Sequence, residues 1–143
     1  MKKKLAELGW REYVDFPDFG ITGVKAKIDT GAKTSCIHAF SVETFEKNNE
    51  VWVRFGVHPN QEDRVTEVWC ESPVVDYREV TDSGGHNEMR YVISSKLIIG
   101  DLEFETELTL ANRDNMRYRM LLGRRAMRGR FTVNPSVSYR QIK

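Results

Sequence analysis

The sequence predicts a mainly β protein, a small closed or nearly closed barrel carrying one or two short helices. Three observations lead there. Short runs of β-branched and aromatic residues recur along the chain. Gly, Asn, Asp and Pro punctuate them at strand-like intervals. No long segment carries the 3.6-residue period of an amphipathic helix. At 143 residues the chain suits a single domain over 1–143. Its hydrophobic content of 40% together with 10 glycines is that of a chain with a packed core.

Taken in order, strands are expected at 10–16, rich in aromatics, and at 24–28, an apolar-flanked run that leads straight into Asp29. Further strands are expected at 51–57, 64–70, 74–81, 89–99, 102–110 and 120–122. Ile99-Gly100-Asp101-Leu102 reads as a tight hairpin, because Gly100 supplies the positive φ that such a turn requires. Glu103, Glu105 and Glu107 alternate with Leu102, Phe104, Thr106 and Leu108, as in a strand with one wet face. The turn-rich stretch from Thr81 to Asn87 lies between extended runs and is expected to be the tip of a long, mobile hairpin. Two short helices complete the reading, one over Ser41–Lys47 behind a Ser N-cap and one over 124–128 between Gly123 and Gly129.

Composition excludes several classes. The 22 Lys and Arg stand against 21 Asp and Glu, a net charge of +1, so no global field favours a polyanionic partner. Locally, Arg113, Arg117, Arg119, Arg124, Arg125, Arg128 and Arg130 face only Asp114, a net +6 segment. It is read as a solvated face pairing with Glu67, Glu71, Glu103 or Glu105 rather than as a nucleic-acid site, since few aromatics interleave with it. No window approaches the length of an apolar membrane span, and Glu7, Arg11 and Glu12 interrupt any export signal after the basic start. The expected location is the cytoplasm, in keeping with two cysteines, Cys36 and Cys70, that do not make a disulfide framework.

Chemistry concentrates at Ala26-Lys27-Ile28-Asp29-Thr30-Gly31-Ala32. Asp29 falls at a strand end, where a carboxylate is half-buried yet faces a cleft, and Gly31 with Ala32 lets another chain come close. An isolated Asp-Thr-Gly is more often an Asx-type turn. The weighting changes with a second element about ninety residues on, Tyr118-Arg119-Met120-Leu121-Leu122-Gly123-Arg124-Arg125-Ala126-Met127, in which an apolar strand reaches a glycine and opens a helix.

Together the two elements resemble the retropepsin-like aspartic peptidases. With Lys33-Thr34-Ser35 and Leu108-Thr109-Leu110-Ala111-Asn112-Arg113 added, the chain resembles, over about residues 10–135, the bacterial family known as ATP-dependent zinc proteases. The resemblance implies an acid-protease fold and an aspartic endopeptidase in which two aspartates share a water and one proton. The chain has one Asp-Thr-Gly, so the dyad is completed by homodimerisation through Asp29 of each copy. It also implies that Thr30 locks the two loops and that Gly31 lends backbone groups to the substrate. Ala32, Gly84 and Gly85 contact substrate, the last two from a Ser83-Gly84-Gly85-His86 flap. Leu121 and Leu122 pack behind the loop, and Gly123 permits strand and loop to cross. Relatives of the family are often linked to a ligase that adds glutamates to a ribosomal protein, which implies a peptide or protein substrate of acidic character.

No cofactor or metal is expected, whatever the family's label. His38, His58 and His86 do not form a zinc-peptidase pair at i and i+4, Cys36 and His38 with Cys70 or His86 make a weak ligand set, and no phosphate-binding Gly-x-x-x-x-Gly-Lys loop is present. The competing readings are a noncatalytic peptide-binding adaptor on the same fold and a metal-dependent peptidase.

Overall fold

The computed structural model describes residues 5–81, 84–112 and 117–141. Twelve strands, one short α-helix and a single 3-10 turn at Pro17–Phe19 are found among them. The strands and helix are β1 (Ala6–Leu8), β2 (Arg11–Phe16), β3 (Ile21–Ile28), β4 (Ser35–His38), β5 (Ser41–Lys47), β6 (Glu50–Val57), β7 (Val68–Pro73), β8 (Asp76–Thr81), β9 (Asn87–Ile99), β10 (Leu102–Ala111), β11 (Met120–Leu122), α1 (Arg124–Met127) and β12 (Phe131–Val133). The mainly β class is as the sequence predicts.

The main sheet runs β10-β4-β11-β3-β2-β9-β8, and β9 also pairs with β10. Six strands thus form a ring of pairings, with β8 hanging outside it. The β2–β9 seam is a single rung, Asp15↔Ile98, so the barrel is nearly closed rather than laddered throughout. Strand β9 curls to serve both neighbours, because Val92 pairs with Thr109 on one side and Asp76 on the other. The β9–β10 hairpin has the expected tight turn, with Gly100 at φ 61°. Strands β5-β6-β7 form a separate sheet, and β1 pairs in parallel with β12. The core is shared: Phe16, Ile93, Leu97, Leu108, Met120 and Leu122 of the main sheet and Val53 and Phe55 of β6 are almost wholly shielded from solvent.

Three expectations are corrected. Ser41–Lys47 is strand β5, not a helix, since it pairs residue for residue with β6 from Ser41↔Gly56 to Lys47↔Glu50. The turn that makes this possible is Asn48-Asn49, both left-handed at φ 54° and 62°, the geometry of a two-residue hairpin. The strand expected over 64–70 begins only at Val68. Asp63 turns the chain before it, its Oδ1 accepting from the amides of Val65 (2.6 Å) and Thr66 (3.2 Å) and its Oδ2 from the Thr66 hydroxyl (2.5 Å). These bonds, the Thr66 hydroxyl first, hold the Asp63 carboxyl far below the usual carboxylate range.

Among the described residues, no ion pair joins the arginine-rich segment to Glu67, Glu71, Glu103 or Glu105. Its arginines turn to backbone oxygens: Arg119 to Asn60 and Gln61, and Arg130 to Arg125 and Ala126. Arg125 reaches Glu107 at 3.7 Å. Desolvation lowers the proton affinity of the largely buried Arg119. Arg113 and Asp114 fall outside the described residues.

The chain ends are tied by a wholly buried carboxylate. Glu12 accepts from the amides of Gly9 (2.6 Å), Arg140 (2.8 Å) and Gln141 (3.0 Å), which fastens the segment after β12 along β1 and β2.

Candidate active site

Strand β3 delivers Asp29 to the centre of the main sheet. Its neighbour there is β11, which lies parallel to β3 (Met120↔Ala26 to Leu122↔Ile28) and antiparallel to β4 (Met120↔Ile37, Leu121↔Cys36). The loop 29–34 therefore crosses over the end of a strand threaded between the two strands it joins. Burial drives the threading: Met120 and Leu122 are fully buried, and each such side chain contributes about 1.5–3 kcal/mol on leaving water.

At the crossing four backbone amides are matched. The Asp29 amide donates to the Leu122 carbonyl (2.9 Å), the Gly123 amide to Ser35 Oγ (2.9 Å), the Arg124 amide to the Ala32 carbonyl (2.8 Å) and the Arg125 amide to the Lys33 carbonyl (3.2 Å). A Cβ on Gly123 would stand 2.7 Å from Thr34 C and 3.0 Å from Ala32 O, so glycine is required there by backbone contact.

Asp29 is half-buried and sits in an Asx-type turn of its own, Oδ1 accepting from the Gly31 amide at 2.9 Å and its carbonyl from the Ala32 amide at 3.3 Å. The local turn and the candidate site coincide. Thr30 and Gly31 are exposed, open to a second molecule.

Asp29, Gly31 and Ala32 form one side of a cleft of about 700 Å³ whose floor is Cys36, Thr109 and Leu121. Leu122 packs behind the loop as expected, but Leu121 is half-buried and lines the cleft instead, because alternate residues of β11 face opposite sides. The far wall is the shaft of the β8–β9 hairpin, with Arg78, Glu79, Val80, Thr81 and Arg90. Gly84 and Gly85, exposed at its tip, are not among the lining residues; Ser83 lies outside the described residues. A smaller cavity of about 320 Å³ between Leu5, Ile99, Phe104 and Gln141 is remote from Asp29.

Sequence reasoning missed the cleft's charge. Arg90 is only 7% exposed, and its guanidinium meets the Glu88 carboxylate (2.5 Å) and the Cys36 sulfur (3.4 Å). Arg78 is forked onto Glu107 (3.0 and 3.3 Å) and bonded to Asp76 (2.8 Å), which raises its proton affinity, Glu107 foremost. Lys33 adds a third cation. The forewarning for the two arginines is the two-residue spacing that sets Arg78 on the face of Val80 and Arg90 on the face of Val92.

Comparison with known proteins decides the lineage. Residues 7–143 match the RimB-like family, described as retropepsin-like aspartic endopeptidase RimB. The chain belongs to this family. As a RimB-like protein it is 46% identical over 130 residues to a Desulfotalea psychrophila protein named "Probable alpha-L-glutamate ligase" and 47% identical over 132 residues to one of the same name from Shewanella pealeana. Those matches cover 91% and 92% of this chain but only 28% and 29% of the relatives, so the chain spans less than a third of their length. The crystal structure of a Legionella pneumophila protein of unknown function (DUF785) superposes with a TM-score of 0.80 at 26% identity, covering 95% of this chain and 98% of that one. The retropepsin-like, mainly β fold expected from the two motifs is thereby established.

The donor set does not fit zinc. Among the described residues no group of three or more His, Cys, Asp or Glu could hold a metal ion. Cys36 and Cys70, both buried and not joined in a disulfide, lie in different sheets, and His58 is stacked on Phe40 at 4.4 Å. Likewise, no helix among the described residues is long and apolar enough to cross a membrane.

Proposed function

We propose that this RimB-like chain is an aspartic endopeptidase whose working unit is a homodimer, with Asp29 of each copy meeting on a twofold axis. One observation carries the reading: each chain holds a single Asp-Thr-Gly turn, braced by a threaded strand, exposed at Thr30 and Gly31 and open to a large cleft. Two carboxyl groups brought together hold one proton between them, because like charges at close range resist joint ionisation. The ionised carboxylate takes a proton from the shared water as its oxygen attacks the peptide carbonyl carbon, and the protonated one gives its proton to the carbonyl oxygen. The resulting gem-diol collapses as a proton passes to the amide nitrogen and the C–N bond breaks.

In this reading Thr30 joins the two loops, Gly31 and Ala32 present backbone to the substrate, and the hairpin with Gly84 and Gly85 closes over it. Lys33, Arg78 and Arg90 along the cleft outnumber Asp29 and Glu79 there and favour an acidic peptide, in keeping with relatives named as glutamate ligases. The test is cleavage of a glutamate-rich peptide by wild type and by Asp29→Asn, with light scattering for the oligomeric state and a strong chelator in parallel. Cleavage lost in Asp29→Asn but kept in chelator supports the proposal. A strict monomer that cleaves, or an Asp29→Asn that still cleaves, refutes it. Binding without cleavage by wild type favours the adaptor reading.

A further inference from the structure

The Asp29 turn is gripped by a residue that does not line the cleft. Arg124, the first residue of α1, donates from Nη1 to the carbonyl oxygens of Thr30 (3.4 Å) and Gly31 (3.2 Å). A trans peptide unit is planar, with its C=O and N–H pointing to opposite sides, and the described chain contains no cis peptide. The Thr30–Gly31 unit therefore has its oxygen on Arg124 and its N–H on Asp29 Oδ1, at 2.9 Å. The Gly31–Ala32 unit repeats the arrangement, oxygen on Arg124 and N–H on the Asp29 carbonyl at 3.3 Å. Two rigid plates thus connect one guanidinium to the side-chain and main-chain oxygens of the same aspartate. Rotating either plate breaks a bond on both of its edges.

We infer that Arg124 is a positioning residue for Asp29, setting the orientation of its carboxylate through two intervening peptide planes without touching it. Glycine at 31 makes such bracing useful, since an unbraced Gly peptide has the widest choice of conformations in the chain. The neighbouring Arg125 turns away to Glu107, and Arg128, exposed at the far end of α1, is a cation of equal charge without this contact.

The test is residue-resolved amide hydrogen exchange at Gly31 and Ala32 by ¹⁵N NMR on the full chain, for wild type, Arg124→Met, Arg124→Lys and Arg128→Met. Arg124→Met is expected to speed exchange at both amides roughly three- to tenfold, the worth of a modest hydrogen bond. Arg124→Lys, with a shorter single-headed donor, falls between and serves if the Met variant does not fold. Arg128→Met leaves both amides unchanged. Unaltered exchange at Gly31 and Ala32 in a folded Arg124 variant, or acceleration spread evenly over the chain, overturns the inference. A second readout rests on the peptidase reading: kcat falls in Arg124→Met with KM held and is partly restored by Lys, while an unchanged kcat overturns the role. A wild type that cleaves nothing defeats the peptidase reading and leaves the exchange result to decide the bracing.

Discussion

Replacing Gly123 by alanine tests the crossing at the candidate site most directly. The added Cβ would meet Thr34 C at 2.7 Å, Thr34 O at 2.9 Å and Ala32 O at 3.0 Å, all backbone atoms that no rotamer change can move. Reaching ordinary contact at 3.4 Å requires the loop or β11 to shift by about 0.7 Å. Gly123 itself has φ −90°, so alanine suffers no conformational penalty there and the whole effect is steric. Overpacking in a tight site costs about 1–3 kcal/mol; with three rigid neighbours and the 2.8 Å Arg124 to Ala32 bond in the displaced region, the upper half of that range applies. At roughly 3–4 °C per kcal/mol for a chain of this size, Tm falls by about 6–12 °C in a calorimetric or circular-dichroism melt. Gly129→Ala is the control, because its Cβ meets open space but its φ is +77°, a conformational cost of about 1 kcal/mol. A Gly123→Ala variant that melts within about 2 °C of wild type would refute the account of the crossing.

Two further outcomes are expected. Glu12→Gln keeps one acceptor oxygen but sets an amide NH₂ against at least one of the three backbone donors that now share a carboxylate, and should cost about 2–3 kcal/mol in urea unfolding, with proteolysis near residue 140 accelerated; a neutral substitution would show that the tie is ornamental. Burial pushes the Cys70 thiol from its ordinary 9.0 up to about 12, so iodoacetamide at pH 8.5 should label it only after unfolding. The sign follows: the fold favours the protonated thiol, so this contribution is full below about 9 and is lost as pH rises toward about 12. Rapid labelling of the native protein would contradict that burial.

What was legible in the sequence was whatever is written locally. The β9–β10 hairpin announces itself through Gly100, and the end of β3 through Asp29 and Gly31. The seven-residue segment behind Ser41 misled because its N-cap signal is local, while its strand identity depends on pairing with β6 and on the left-handed Asn48-Asn49 turn. Strands β1 and β12, three residues each, carry too few positions for any period to register. At the site, Asp29, Gly31 and Gly123 were readable because backbone geometry dictates residue type. Arg78, Arg90 and Arg124 were not, because an arginine looks the same whether it faces water, a carboxylate or a carbonyl some ninety residues away.

The threading of β11 also orders events in time. Every brace on the acidic turn comes from Leu122, Gly123, Arg124 or Arg125, late in a chain read from the amino end. A nascent polypeptide halted before that point carries Asp29 with none of its supports, and long-range closures of this kind are slow to form. The turn that holds Asp29 thus acquires its supports only after residues 122–125 have been made and β11 has threaded between β3 and β4.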